Sequence, residues 1–144
     1  MNTLVQEKST QIIARYKTNN PFIIAEYEKI EVIEHPLSGR LKELYFGDYI
    51  ILNNLLSHTK KRRYLAHALG HHFLHTGNQL FFAKNRYHQN IKEEAQAEEF
   101  AAYLLIPKQE LTPILHLNIE ELAEHFQVPP QFINKRLLLA KNNL

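Results

Sequence analysis

KKRRYLAHALGHHFLH, residues 60–75, decides how the rest of the chain is read. Tyr64, Leu65, Ala68, Leu69, His72 and Phe73 recur at helical intervals, so the stretch predicts a helix with a buried stripe, and Thr76 and Gly77 stand where its C-terminal cap belongs. Inside it HALGH, 67–71, sets two imidazoles four positions apart. Residues i and i+4 lie about 40° apart around a helix axis, so both rings can aim a nitrogen at one point roughly 2 Å from each, as a helical metal clamp requires. Gly70 points the same way. Glycine costs about 1 kcal/mol inside a helix relative to alanine, which predicts a second backbone crossing close by. The plain alternative is a histidine-rich helix packing with polar edges at the surface. Two histidines four apart arise by chance often enough that these five residues leave both readings open.

A third ligand has to decide, since two histidines do not close a zinc site and a neutral or anionic group is expected from a separate helix. IKEEAQAEEFAAYLLIP, 91–107, is rich in Ala, Glu and Leu and predicts a helix that stops before Pro107. Its carboxylates stand at 93, 94, 98 and 99, and Glu94 and Glu98 share a face four residues apart. One of that pair can ligate, while the other can accept the second N–H of a ligand histidine and so fix its tautomer. Glu93 and Glu99 read as a solvated acidic first turn favoured by the helix dipole.

Composition narrows the chemistry. A chain of 144 residues, 44% apolar and 22% charged, predicts one compact domain over 1–144. With 17 Lys and Arg against 15 Asp and Glu, the net charge of +2 calls for no polyanionic partner. There is no cysteine, so disulfides and thiolate sites are excluded and any metal must be held by imidazole and carboxylate. The start, MNTLVQEKSTQIIARYK, lacks a signal-like apolar core, and no later run approaches the roughly 20 apolar residues of a membrane span. The expected setting is cytoplasmic, away from membranes.

Around the histidine helix the other elements follow from local signals. Leu4, Val5, Ile12, Ile13 and Tyr16 predict a first helix over 3–16, halted by Asn19, Asn20 and Pro21, and a short second helix over 22–27 capped by Asn20. EVIEH (31–35), LKELYF (41–46) and YIILN (49–53), separated by 36–39 and by Gly47 and Asp48, predict a small three-stranded antiparallel sheet with tight turns. Residues 78–90 carry aromatics and basics without period and read as a surface loop. After a turn at 108–111 come two helices, 119–126 and 130–141, joined at VPP. The fold class is thus α+β: the sheet packs on a helical core with a C-terminal helix pair.

RRYLAHALGHHFLHTGN followed by EEAQAEEFAAYLLIP resembles the ImmA/IrrE family of metallopeptidases, whose pattern is an AHELGH helix with a trailing leucine and histidine, then ExxA(N/D)xFAxxLLxP. The match runs through 66–107, with looser similarity upstream and in the last helices. Two linked motifs in the right order make it specific. The resemblance implies that the helical core is zincin-like, that His67 and His71 are the paired ligands, that Glu94 is the third, and that the metal is zinc, with manganese the alternative. Glu98 falls where the family has Asn or Asp, as partner to a ligand histidine. Phe100, Ala101, Leu104, Leu105 and Pro107 match the apolar face and stop of that helix. His75 continues the ligand face but would lie about 6 Å farther along the axis, too far for the same ion.

The departure is Ala68, which aligns with the family's catalytic glutamate. Ligands without a general base imply metal binding with hydrolysis largely lost. A deliberate Glu→Ala substitution and a natural pseudoenzyme both account for it, and the intact remainder of the motif favours the former. For the oxyanion, Tyr103, His72, Tyr87 and His88 are candidates with none preferred. Lys60, Lys61, Arg62 and Arg63 crowd the start of the histidine helix, where the dipole disfavours them. They read first as a solvated face, or else as a charge patch for a partner.

Residues 113–144 resemble a helix-turn-helix. Leu122, Ala123 and Phe126 would pack on Val128, Ile133 and Leu137, leaving Gln131, Asn134, Lys135 and Arg136 outward. The small net charge does not favour DNA as the main partner. The function implied is a zinc-dependent endopeptidase acting on a helix-turn-helix repressor of a mobile element or stress regulon. The alternatives are a non-catalytic metal-binding regulator that binds a repressor or DNA, and a structural domain without metal.

Overall fold

Asn20 opens the ordered core: its side chain accepts from the Phe22 backbone N–H at 2.9 Å and starts a helix whose first residue is Pro21. In the computed structural model, which describes residues 3–75 and 91–142, this is α2 (Pro21–Tyr27), preceded by α1 (Thr3–Tyr16). Three strands follow, β1 (Glu31–His35), β2 (Glu43–Tyr45) and β3 (Tyr49–Asn53). Next come α3 (His58–Leu74), α4 (Ile91–Leu105), the short α5 (Lys108–Leu111) with a 3-10 turn at Thr112–Ile114, α6 (Ile119–Phe126) and α7 (Pro130–Asn142). No described helix is long and apolar enough to cross a membrane. Thr76, Gly77 and the expected loop at 78–90 lie outside the described residues; α3 itself ends at Leu74.

The class is α+β as expected, but the sheet is mixed rather than antiparallel. Its order is β1-β3-β2, with β1 parallel to β3 (Val32 opposite Ile50) and β2 antiparallel to β3 (Leu44 opposite Ile51). Among the described strands only β2 and β3 form a hairpin, turned at Gly47 with φ 85°. The 36–42 connection is a crossover held by Asn53, whose amide donates to the carbonyls of Leu37 (3.3 Å) and Leu41 (3.1 Å). The most apolar strand therefore takes the middle, with Ile50 and Leu52 fully buried, while β1 keeps its charged residues at an edge.

Helix α3 runs between two layers. Its sheet side meets β2, β3 and α2, and its other side crosses α4, so every residue from Leu65 to His71 is buried rather than a single stripe. Gly70 makes the crossing close: a Cβ there would stand 2.8 Å from the Ala97 carbonyl oxygen and 2.9 Å from its Cα. The expected backbone approach is present, and the approaching chain is the glutamate helix.

Behind α4 lies α1, and α7 packs on α4 from the C-terminal side. Leu122, Ala123, Phe126, Val128 and Ile133 are buried and Leu137 is partly buried, as the helix-pair pattern required. Phe132, unremarked in the pattern, is fully buried with them. Arg136 corrects the outward face: only 2% exposed, it donates Nε–H to the Ile106 carbonyl (2.7 Å) and stacks over Tyr103 (4.8 Å). It thereby satisfies an otherwise orphaned carbonyl at the end of α4.

The basic run on α3 is also committed to the protein's own groups. Ser57 caps the helix, so the charges sit in its first turns. Lys61 pairs with Glu34 (2.7 Å), Arg62 donates to the carbonyls of Phe126 (3.5 Å) and Gln127 (3.2 Å) at the end of α6, and Arg63 reaches Glu98. Three of the four cations thus tie α3 to β1, α6 and α4 rather than forming a free patch.

Candidate metal centre

Because α3 and α4 cross at Gly70 and Ala97, side chains one turn from the crossing on each helix are forced together. His67 and His71 come from α3 and Glu94 from α4. One Glu94 oxygen lies 2.5 Å from His71 Nε2, and its two oxygens lie 3.3 and 3.2 Å from His67 Nε2. One donor atom from each residue falls within 4.8 Å of the others. Both histidines are buried, at 6% and 2% exposure, while Glu94 is partly exposed, so the cluster is reached from the side of α4.

The far nitrogen of His71 is backed as well. His75 Nδ1 meets His71 Nδ1 at 3.3 Å, and His75 Nε2 sits 2.9 Å from the Gln96 amide oxygen. His75 is thus a neighbour of a ligand candidate rather than a fourth donor, as its axial offset required. Among the described residues no hydrogen bond reaches the buried Nδ1 of His67, but a Glu98 oxygen stands 3.7 Å from it. Glu98 is itself held by Arg63 (3.3 Å to each oxygen) and Lys135 (3.6 Å).

This cluster is a network of opposed charges. Burial works against a charge on His67, yet the carboxylates of Glu94, Glu98 and Glu43 outweigh it and hold the imidazolium proton up to about 10. On His71 burial wins over Glu94 and pushes the proton off, below the ordinary imidazole range. Burial would raise Glu94, but the two histidines overcome it and keep the carboxyl far below its usual range. The carboxylate of Glu94 thus faces both imidazoles from between them. Two neutral-capable nitrogens and an anionic oxygen, with a partner on the outer nitrogen of His71 and a carboxylate facing that of His67, are the donor set a divalent cation requires, so the residues fit a metal.

Ala68 is fully buried on the turn between the two histidines and offers no proton-accepting atom. His72 points to the sheet, with Nδ1 2.7 Å from the Tyr45 hydroxyl and Nε2 2.9 Å from Glu28, which also binds the Tyr16 hydroxyl. Tyr103 lies under Arg136. Neither belongs to the cluster; Tyr87 and His88 lie outside the described residues. Sequence reasoning passed over Glu43, a carboxylate only 3% exposed on β2. The period-2 alternation of 41–46 was its signal, since Glu43 shares a strand face with buried Tyr45.

Two histidines one turn apart and a glutamate from the crossing helix, beside a small sheet, define the metallopeptidase class that the sequence resembles. The IrrE N-terminal-like domain, a peptidase family, matches residues 25–138, and the chain belongs to that family. It is 34% identical over 110 residues to "Uncharacterized immunity region protein 2" of Bacillus phage phi105, covering 73% of this chain and 70% of that protein. It is 30% identical over 136 residues to "Metallopeptidase ImmA" of Bacillus subtilis strain 168, covering 87% and 79%. The family implies a divalent metal, and the His67, His71 and Glu94 cluster is able to bind one.

Proposed function

We propose that the chain is a zinc-dependent endopeptidase of the ImmA/IrrE type, a single domain over 1–144 acting in the cytoplasm. Its substrate is a helix-turn-helix repressor of a mobile element or stress regulon. The convergence of His67, His71 and Glu94 carries this reading. Similarity to a phage immunity-region protein supports the mobile-element setting, and similarity to a metallopeptidase supports the activity. His67, His71 and Glu94 would hold the ion, with zinc suited to two imidazoles and a carboxylate and manganese the alternative. A bound divalent cation supplies polarisation of a carbonyl oxygen. The protein's own part is to orient the ligands: His75 fixes His71 through Nδ1, and Glu98, braced by Arg63 and Lys135, faces Nδ1 of His67.

With Ala68, α3 lacks a group to take and return a proton, so hydrolysis by this chain is largely lost while metal and substrate binding remain. Two measurements test the reading. Elemental analysis should find about one ion per chain and none after His67→Ala. Ala68→Glu, loaded with zinc and screened against candidate repressors, should cleave about 10²–10⁴-fold faster than the parent. Absence of cleavage by that variant across the screen counts against the reading.

Ala68 also favours a second reading, a non-catalytic regulator that binds a repressor, or DNA, through an intact but chemically quiet site. Salt-dependent DNA binding lost on Lys135→Ala would support the DNA form. Arg136 is a poor probe there because it is buried.

A further inference from the structure

A groove of about 500 Å³ runs along α4 and α7 and ends on His67 and Glu94. Its sides are apolar: Ile91 and Ala95 on α4 face Leu138 and Leu139 on α7. Ile91 and Leu138 are 86% and 59% exposed. Single exposed leucines need no explanation, but two large apolar residues lining one groove that opens on a candidate metal centre do. Charge does not account for the groove. Of its charged lining, Lys135 is paired with Glu98 and Glu94 faces the two histidines, which leaves Glu99, and a charged guest would lose its hydration against the leucines.

We propose that this groove is the specificity subsite of the peptidase, and that it takes a large apolar side chain of the substrate peptide next to the bond presented at His67 and Glu94. The inference rests on the metallopeptidase reading and deepens it by naming the residue class the site selects. The occupant follows from continuity: His67 and Glu94 line the same groove as Ala95 and Leu138, so a backbone held at the metal centre presents its neighbouring side chain to that lining. Ala95 is the small residue that keeps the groove open, and Leu138 gives it an apolar wall.

The test uses the full chain loaded with zinc and two probes, N-acetylglycine hydroxamate and N-acetylleucine hydroxamate, titrated by calorimetry. A hydroxamate grips a metal with its own oxygens and needs no base at position 68. The leucine probe should bind about 10–100-fold tighter than the glycine probe. Ala95→Leu, which fills the groove, and Leu138→Ser, which wets it, should each reduce that ratio to below about 3-fold. Both positions are exposed, so the variants should fold, and circular dichroism checks that they do. Equal affinities for the two probes in a zinc-loaded parent overturn the subsite alone. A chain that takes up no zinc overturns the metallopeptidase reading and the subsite with it. A dimer in sedimentation that Leu138→Ser dissociates also overturns the proposal, since the groove would then be an interface between copies.

Discussion

Replacing Gly70 with alanine tests the packing that builds the site. A Cβ at 70 would lie 2.8 Å from the Ala97 oxygen and 2.9 Å from its Cα. An ordinary carbon contact needs roughly 3.5 Å, so α3 and α4 must part by about 0.6–0.7 Å. Both obstructing atoms are backbone, and no rotamer change relieves them. Against this, alanine gains about 1 kcal/mol of helix propensity over glycine. Overpacking costs about 1–3 kcal/mol and more where backbone must move, so a net loss of about 1–2 kcal/mol is expected. The ligand candidates respond more sharply, because His71 follows position 70 directly and Glu94 lies three residues before Ala97. Parting the helices lengthens the gap that a metal must bridge. Zinc affinity should fall about 10–100-fold, a change comparable to losing an outer partner of a ligand. Urea unfolding of the metal-free chain gives the first number, and competition with a fluorescent zinc chelator gives the second. A Gly70→Ala chain that is about 1 kcal/mol more stable and binds zinc like the parent would refute the reasoning, since propensity alone would then be acting.

Other consequences can be measured on the same protein. Binding a metal must displace the proton that His67 holds up to about 10, so zinc affinity should weaken by up to about tenfold per pH unit on acidification, with proton release visible by calorimetry in buffers of different ionisation heat. In the metal-free chain the sign reverses. Because the folded pKa of His67 lies above its ordinary 6.5, its stabilisation is complete below that value and is lost as pH rises toward about 10, so thermal midpoints should decline between pH 7 and 9.5, and zinc should remove the decline. Arg136→Ala strips the Ile106 carbonyl of its donor and Tyr103 of its stacked cation, which should cost about 2–4 kcal/mol in urea unfolding. Glu98→Gln should weaken zinc binding about tenfold by loosening His67 without abolishing it, whereas Glu94→Gln should abolish stoichiometric uptake in elemental analysis.

Read along the chain, helical periodicity located α3, α4, α6 and α7, Asn20 and Pro21 marked the start of α2, and the interval between His67 and His71 announced a shared target. These signals are local, set by the 3.6-residue turn, by caps and by breakers, and they survive without tertiary context. Gly70 carried one long-range message, because a helix tolerates glycine in its interior when a neighbour takes the space.

What the sequence could not hold was pairing. The alternation of 31–53 is equally compatible with two hairpins or with one hairpin and a crossover. Asn53, reaching back to Leu37 and Leu41, marks the crossover in the fold. Arg136 looked outward on a helical wheel and is buried, because only the docking of α7 on α4 brings the Ile106 carbonyl to it. Glu43 and Lys135 belong to separate elements that meet around His67 and Glu98 only when strand, helix and tail are packed. Spacing along one helix determined that two imidazoles would converge; the close crossing of α3 and α4 decided which carboxylate meets them and which charges surround it.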